Sequence, residues 1–132
     1  TYFQQSLKNE IFSVFLPFGY TADNREGESD RKGIEVSGRF NLARGLDLGL
    51  AYTYLDATEP SGLEEIRRPP HSGRVDVGYT TPDERGKINL AVAYTGDTFD
   101  ENFNYNSFST ERLLLEDYWL VTLAGSYQLA PG

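Results

Sequence analysis

The amino-acid sequence predicts an all-β fold: an antiparallel up-and-down meander of about six long strands. Three observations carry this. Apolar and polar residues alternate in several stretches, as side chains do on the two sides of a strand, and no stretch shows convincing helical spacing. Several of these runs reach about 10 residues, beyond the 5–6 usual for soluble strands. The connections between them alternate between short and long, which puts tight turns at one end of the sheet and loops at the other.

Taken in order, "TYFQQSLKN" reads as the opening strand, and roughly 11–31 as a long polar loop. "GIEVSGRFNL" sets Ile34, Val36, Phe40 and Leu42 against Gly33, Glu35, Ser37, Arg39 and Asn41. After the short turn 43–45, "LDLGLAYTYLDA" sets Leu46, Leu48, Leu50, Tyr52 and Tyr54 against Asp47, Gly49, Ala51 and Thr53. Residues 58–67 read as a second long connection. "RVDVGY" then alternates Val75, Val77 and Tyr79 with Arg74, Asp76 and Gly78, and Arg67 and Arg68 are expected at the start of this fourth strand. "TPDERG" has the proline and glycine of a tight turn. "INLAVAYT" sets Ile88, Leu90, Val92 and Tyr94 against small or amide residues. Residues 99–112 are expected to be a third irregular loop. "WLVTLAGSYQL" closes the series with Trp119, Val121, Leu123 and Tyr127 on one side.

Composition narrows the function. The 132 residues are enough for one small domain, carry a net charge of −8, and include no cysteine and one histidine, His71. That excludes a disulfide framework and a thiolate or multi-histidine metal site, and argues against a nucleic-acid partner, which calls for a basic stripe. No apolar run approaches the roughly 18 residues of a membrane helix, and the start is not a signal peptide. A membrane β-strand needs only about 9–11 alternating residues, so a barrel escapes both tests. The chain has no methionine, even at position 1, which suggests a piece of something longer.

The oily face can turn inward, to the core of a soluble sandwich, or outward, to lipid. Strand length favours lipid. So does the opposite face, where Gly, Ala, Ser and Thr stand among charges of both signs: Glu35, Arg39, Asp47, Arg74 and Asp76. Small residues suit the inside of a curved, closed sheet, and mixed charges suit a wet or plugged lumen. The aromatics complete the pattern. Tyr52, Tyr54, Tyr94 and Trp119 lie next to long loops, Phe40, Tyr79 and Tyr127 lie near short turns, and Leu, Val and Ile fill the space between. Two aromatic belts around an aliphatic band match the headgroup levels of a bilayer. A lipid-facing sheet must close, and natural membrane barrels begin at about eight strands, so this chain is expected to be part of a larger transmembrane β-barrel.

The stretches "RKGIEVSGRFNLARGLDLGLAYTYLDA", "IRRPPHSGRVDVGYTT", "INLAVAYTGDTFDENF" and "LEDYWLVTLAGSYQL" resemble successive late-barrel strands of TonB-dependent outer-membrane receptors of the cobalamin and siderophore branch. Most of the likeness lies in the "KGIE" of Lys32–Glu35, the "RRP" of Arg67–Pro69 and the stretch Tyr94–Asp100. The resemblance implies a 22-stranded barrel in a Gram-negative outer membrane, closed by an N-terminal plug and energised by the TonB complex. It further implies energy-coupled uptake of cobalamin, an iron–siderophore or a similar nutrient. The plug and TonB-binding segment are expected upstream, and about two closing strands beyond "LAPG". A passive porin-type or adhesin barrel and a soluble β-sandwich that binds a small ligand are the alternatives.

Each candidate site has a plainer reading beside it. Arg67 and Arg68 suit a ligand anion or lipopolysaccharide phosphate, or a simple rim ion pair. Glu35, Arg39, Asp47, Arg74 and Asp76 suit plug contacts, or pair across strands. "GDTFDENFNYN" offers carboxylate oxygens without calcium-loop spacing, and reads as a solvated loop. His71 reads as structural. No catalytic, metal or cofactor site is expected, and the chain carries no enzyme signature. An isolated piece would associate edge to edge through its unpaired strands.

Overall fold

The computed structural model describes residues 1–16 and 18–129. Eight strands follow one another: β1 (Tyr2–Leu16), β2 (Gly19–Ala43), β3 (Leu46–Thr58), β4 (His71–Thr80), β5 (Gly86–Thr95), β6 (Thr98–Asn104), β7 (Ser109–Leu115) and β8 (Tyr118–Tyr127). Six form one antiparallel sheet in the order β1-β2-β3-β4-β5-β8, and β6 and β7 form a separate hairpin. The expected six-stranded meander is therefore present, with a hairpin inserted before its last strand.

Two expected loops are ordered strands. Residues 11–16 and 19–31 extend β1 and β2 into a two-stranded ribbon, so that β2 alone runs 25 residues, about 80 Å of extended chain. Residues 99–112 form most of the β6–β7 hairpin. Its register continues that of β5 and β8: Thr95 pairs with Tyr118 and, three residues on in each strand, Thr98 pairs with Leu115. The hairpin is the same ribbon resumed after a two-residue break on each side. Gly96 lies in that break, its N–H turned to the His71 carbonyl at 2.8 Å. Arg67 and Arg68 do not begin the fourth strand. Pro69 and Pro70 precede it, pairing starts at His71, and the two arginines belong to the connecting segment 59–70.

The short connections have the expected chemistry. Gly45 turns β2 into β3 at φ +79°, and an added Cβ would stand 2.3 Å from the Thr80 carbonyl oxygen. At the β4–β5 turn the Thr81 N–H donates to the Gly86 carbonyl, and the Gly86 N–H donates to the Thr81 hydroxyl.

Register aligns the apolar faces of all the strands. One row runs Val36–Tyr52–Gly73–Tyr94–Trp119, the next Gly38–Leu50–Val75–Val92–Val121, and the next Phe40–Leu48–Val77–Leu90–Leu123. Since facing side chains repeat every second residue, a one-residue slip would send them to the other side. This continuous face stays open: Val36 is 60% exposed and Val121 63%, whereas the buried apolar residues among those described are Ala57 and Ala91. Within the described residues nothing covers this face.

Candidate functional site

The face opposite the apolar band carries the polar residues singled out from sequence. Arg39, Gly49, Asp76, Ala91 and Thr122 form one row, with Ser37, Ala51, Arg74 and Ala93 above and Asn41, Asp47, Gly78 and Asn89 below. Arg74 grips Asp76 with both guanidinium edges, Nε to Oδ2 and Nη2 to Oδ1 at 2.7 Å each. That planar fork-on-carboxylate match is the strongest form of the contact. Asn41 donates to Asp47 across the β2–β3 pair. The absent side chains of Gly49 and Gly78 leave a polar recess of about 680 Å³ among Arg39, Asp47, Arg74, Asp76 and Asn89. Four of the five expected inward charges thus line one recess. Glu35 does not line it. It stands higher, in the row of Thr53 and Ser72, and its backbone N–H donates to the Thr1 carbonyl at 2.8 Å.

The outer face carries the aromatics. Tyr94 and Trp119 meet at 4.8 Å between ring centroids, and Tyr52 stands in their row. Tyr54 lies one row higher beside His71, 5.2 Å between rings, and the Tyr52 hydroxyl is 2.8 Å from His71 Nδ1. Phe40 lies lower, in the row of Leu48. Tyr79 and Tyr127 sit at the turn end, with the Arg85 guanidinium 5.4 Å over the Tyr127 ring. From the His71–Gly96 level to the Gly86–Tyr127 level β5 advances ten residues, about 34 Å of strand. A tilt of about 40° turns that into roughly 26 Å of height, close to the apolar band of a membrane barrel.

Sequence reasoning missed a third set, at the loop end. Arg31 donates from Nε to Glu65 Oε2 at 2.7 Å and from Nη2 to Glu10 Oε1 at 2.8 Å, and Ser29, 2% exposed, donates to Glu10 Oε2 at 2.7 Å. Hydrogen bonding to Glu65 holds the Arg31 guanidinium above its ordinary pKa against the opposing effect of burial. A strand irregularity makes this possible. Pairing slips between Lys8 and Glu10, Asn9 sits at φ +55° and Gly27 opposite at φ +117°, and the slip turns Glu10 inward where strict alternation would send it outward. The segment 59–70 folds over this cluster, with the Glu65 N–H on the Ala57 carbonyl, and it also holds the β6–β7 hairpin. The Arg67 N–H donates to the Phe99 carbonyl and Arg67 Nε to Asp100, while Arg112 donates to the Glu64 carbonyl and lies 4.6 Å over the Phe99 ring. Arg68 stays 3.8 Å from Glu65.

The hydrogen bond from Arg67 lowers the Asp100 pKa below its ordinary 3.8. A depressed carboxylate stabilises the fold above its unfolded pKa and loses that contribution as pH falls through the folded value. The clasp should therefore hold throughout the mildly acidic range and open only below the usual carboxylate range. Arg67→Ala should open it at neutral pH, read as faster amide exchange over 98–104 with 86–95 unchanged.

Among the described residues no three His, Cys, Asp or Glu side chains converge as a metal site. The acidic stretch around Asp97–Asn104 is hairpin rather than cation loop.

Comparison with curated protein sequences gives no match. Solved structures do match. A Pseudomonas aeruginosa FpvA bound to heterologous pyoverdines superposes with a TM-score of 0.76 at 21% identity, covering 98% of this chain and 18% of that one. The pyoverdine outer-membrane receptor FpvA of Pseudomonas aeruginosa bound to pyoverdine gives 0.77 at 20% identity, with 98% and 20% covered. The FpvAI–pyocin S2 complex gives 0.75 at 21%, with 98% and 19% covered. The chain thus spans about a fifth of the length of these receptors and shares their fold. The family described as "TonB dependent receptor-like, beta-barrel" matches residues 1–132, the whole chain. Sheet, register and family agree: this chain belongs to the TonB-dependent receptors, as a stretch of their β-barrel wall.

Proposed function

We propose that this stretch serves as barrel wall in a Gram-negative outer-membrane receptor that takes up an iron–siderophore by TonB-coupled transport. The carrying observation is the two-faced register: five strands present an unbroken apolar face with aromatics at both levels, and a small, charged face behind it. Lipid meets the first face. A plug from elsewhere in the same protein meets the second, at Arg39, Asp47, Arg74 and Asp76, with Glu35 above them. Arg67 and Arg68 stand at the extracellular rim, where Arg67, 70% exposed, can meet an anionic ligand or lipopolysaccharide phosphate with the guanidinium edge that Asp100 leaves open. Siderophore is favoured over cobalamin by the pyoverdine-bound receptors among the structural neighbours.

The test uses the full-length protein. Deleting its gene should abolish accumulation of radioactive iron from the matching siderophore, and collapsing the proton gradient should do the same in the intact strain. Uptake that survives loss of the gradient would favour the passive-barrel alternative. Replacing Arg39 and Arg74 together by alanine should loosen the plug and admit bulky polar antibiotics otherwise excluded. Unchanged exclusion would leave those arginines a purely cross-strand role.

Cut from its barrel, the wall has unpaired edges. β1 and β8 are the outer strands of the sheet, each paired on one side only among the described residues. Such edges template further pairing, so the isolated piece should sediment as oligomers.

A further inference from the structure

Where two charged residues face each other in the ladders of the described residues, their signs are opposite: Lys8 with Glu28, Glu10 with Arg25, Lys32 with Asp56, and Glu101 with Arg112. Opposite charges directly across an antiparallel pair stabilise it, and like charges there destabilise it. The register shared by β5–β8 and β6–β7 would break this pattern at one place. Between the pair Thr95–Tyr118 and the pair Thr98–Leu115 it sets Gly96 against Asp117, and Asp97 against Glu116. Those are the positions where the ladder stops, and beyond them it resumes in the same register.

The lost rung is a hydrogen-bonded one. Successive residues of a strand turn their N–H and C=O to opposite neighbours. Gly96 turns its N–H to His71 of β4, so regular pairing would have Asp97 exchange two bonds with Glu116. The far end of the same ladder agrees, since Gln128 donates to the carbonyl of Arg85, an even number of residues before Asp97. Backbone conformation does not forbid the rung, because neither Asp97 nor Glu116 has a positive φ. No cation of these strands stands between the two carboxylates. Lys87 and Arg112 are the nearest basic residues in sequence, and Arg112 faces Glu101. Asp117 is engaged with the Tyr94 hydroxyl. We propose that the interruption is a hinge held open by charge: Asp97 and Glu116 repel, the rung between them does not form, and the β6–β7 hairpin swings as a body on this root. Its position is then set from the side, by the contacts of Arg67 and Arg112 that join it to segment 59–70.

The experiment reverses the charges in the full-length protein. Glu116→Lys and Asp97→Lys each create an opposite pair and should close the rung. The two substitutions together restore a like pair and should leave it open. Asp97→Asn removes the repulsion without adding an attraction, and should fall between. Hydrogen exchange at the amides of residues 97 and 116, each referred to an unstructured peptide of the same sequence, reads the rung directly. Exchange should slow roughly tenfold in each single reversal and match wild type in the double one. No slowing in the single reversals, or equal slowing in the double one, overturns the hinge. A second readout follows the hairpin itself. Arg67→Ala should speed exchange over 98–104 in the wild-type background, and several-fold less in the Glu116→Lys background, where the root now holds the hairpin. Equal acceleration in both backgrounds overturns the control of the hairpin by this charge pair.

Discussion

Arginine at Leu90 or Val121 is expected to cost the barrel about 2–4 kcal/mol of stability in a bilayer, the amount typical of a cation on the lipid face near the midplane. Both residues stand in the middle rows of the apolar band, between the aromatic levels, and are 37% and 63% exposed in the isolated chain. The cost should fall toward the turns, so that arginine at Ile88, one row lower, is tolerated better. Thr122 is the matching position on the other face, exposed and next in sequence to Val121. Arginine there should cost about 0.5 kcal/mol or less. Ala91 is an unsuitable lumen control although it shares that face. It is 4% exposed in the row of Arg39 and Asp76, so a large side chain would overpack it. Reversible denaturant unfolding of the full-length receptor in phospholipid vesicles measures the difference. Equal costs at Val121 and Thr122 would refute the assignment of faces.

The two-sidedness of the strands was legible in the sequence because apolar and polar residues alternate along them. Where both faces are wet, the signal vanishes. In the stretch "ESDRK" of β2, Glu28, Asp30 and Lys32 point to one side and Ser29 and Arg31 to the other, and all are polar. Nothing in such a run distinguishes strand from loop, so 11–31 read as irregular. The β6–β7 hairpin offered more, since Phe99 and Phe103 fall on one side of Thr98–Asn104, but its acidic composition masked them. The charges opposite the apolar face were legible one by one, from their places between apolar neighbours. The Arg31 cluster was not. Its members come from positions 10, 29, 31 and 65, Glu10 faces inward only because of the slip at Asn9, and alternation alone assigns it to the wrong side.

Arg31→Met should cost the loop end of the wall about 2–3 kcal/mol, because it removes the cation that two carboxylates share and leaves only Arg68, 3.8 Å from Glu65, near them. The side chains of Arg31 and Glu65 are only 18% and 14% exposed, so water cannot fully replace the lost contacts, whereas the Glu10 carboxylate at 26% is better placed to rehydrate. Glu65 should be displaced first. Its segment then loses its hold on β2 while keeping the Arg67 and Arg112 contacts to the hairpin, so 59–68 and 98–115 should loosen together. In the full-length receptor, amide exchange over those two stretches should accelerate roughly 30- to 140-fold, since about 1.4 kcal/mol is a factor of ten. The spans 74–80 and 87–94 should not change. Arg31→Lys keeps the charge but loses the planar fork that reaches both carboxylates, and should recover only part of the protection. Loosening of 59–68 without 98–115 would show that the hairpin is held by its ribbon alone. Protection unchanged in both would mean that segment 59–70 is fixed by its backbone bonds to Ala57 and Phe99 and owes nothing to Arg31.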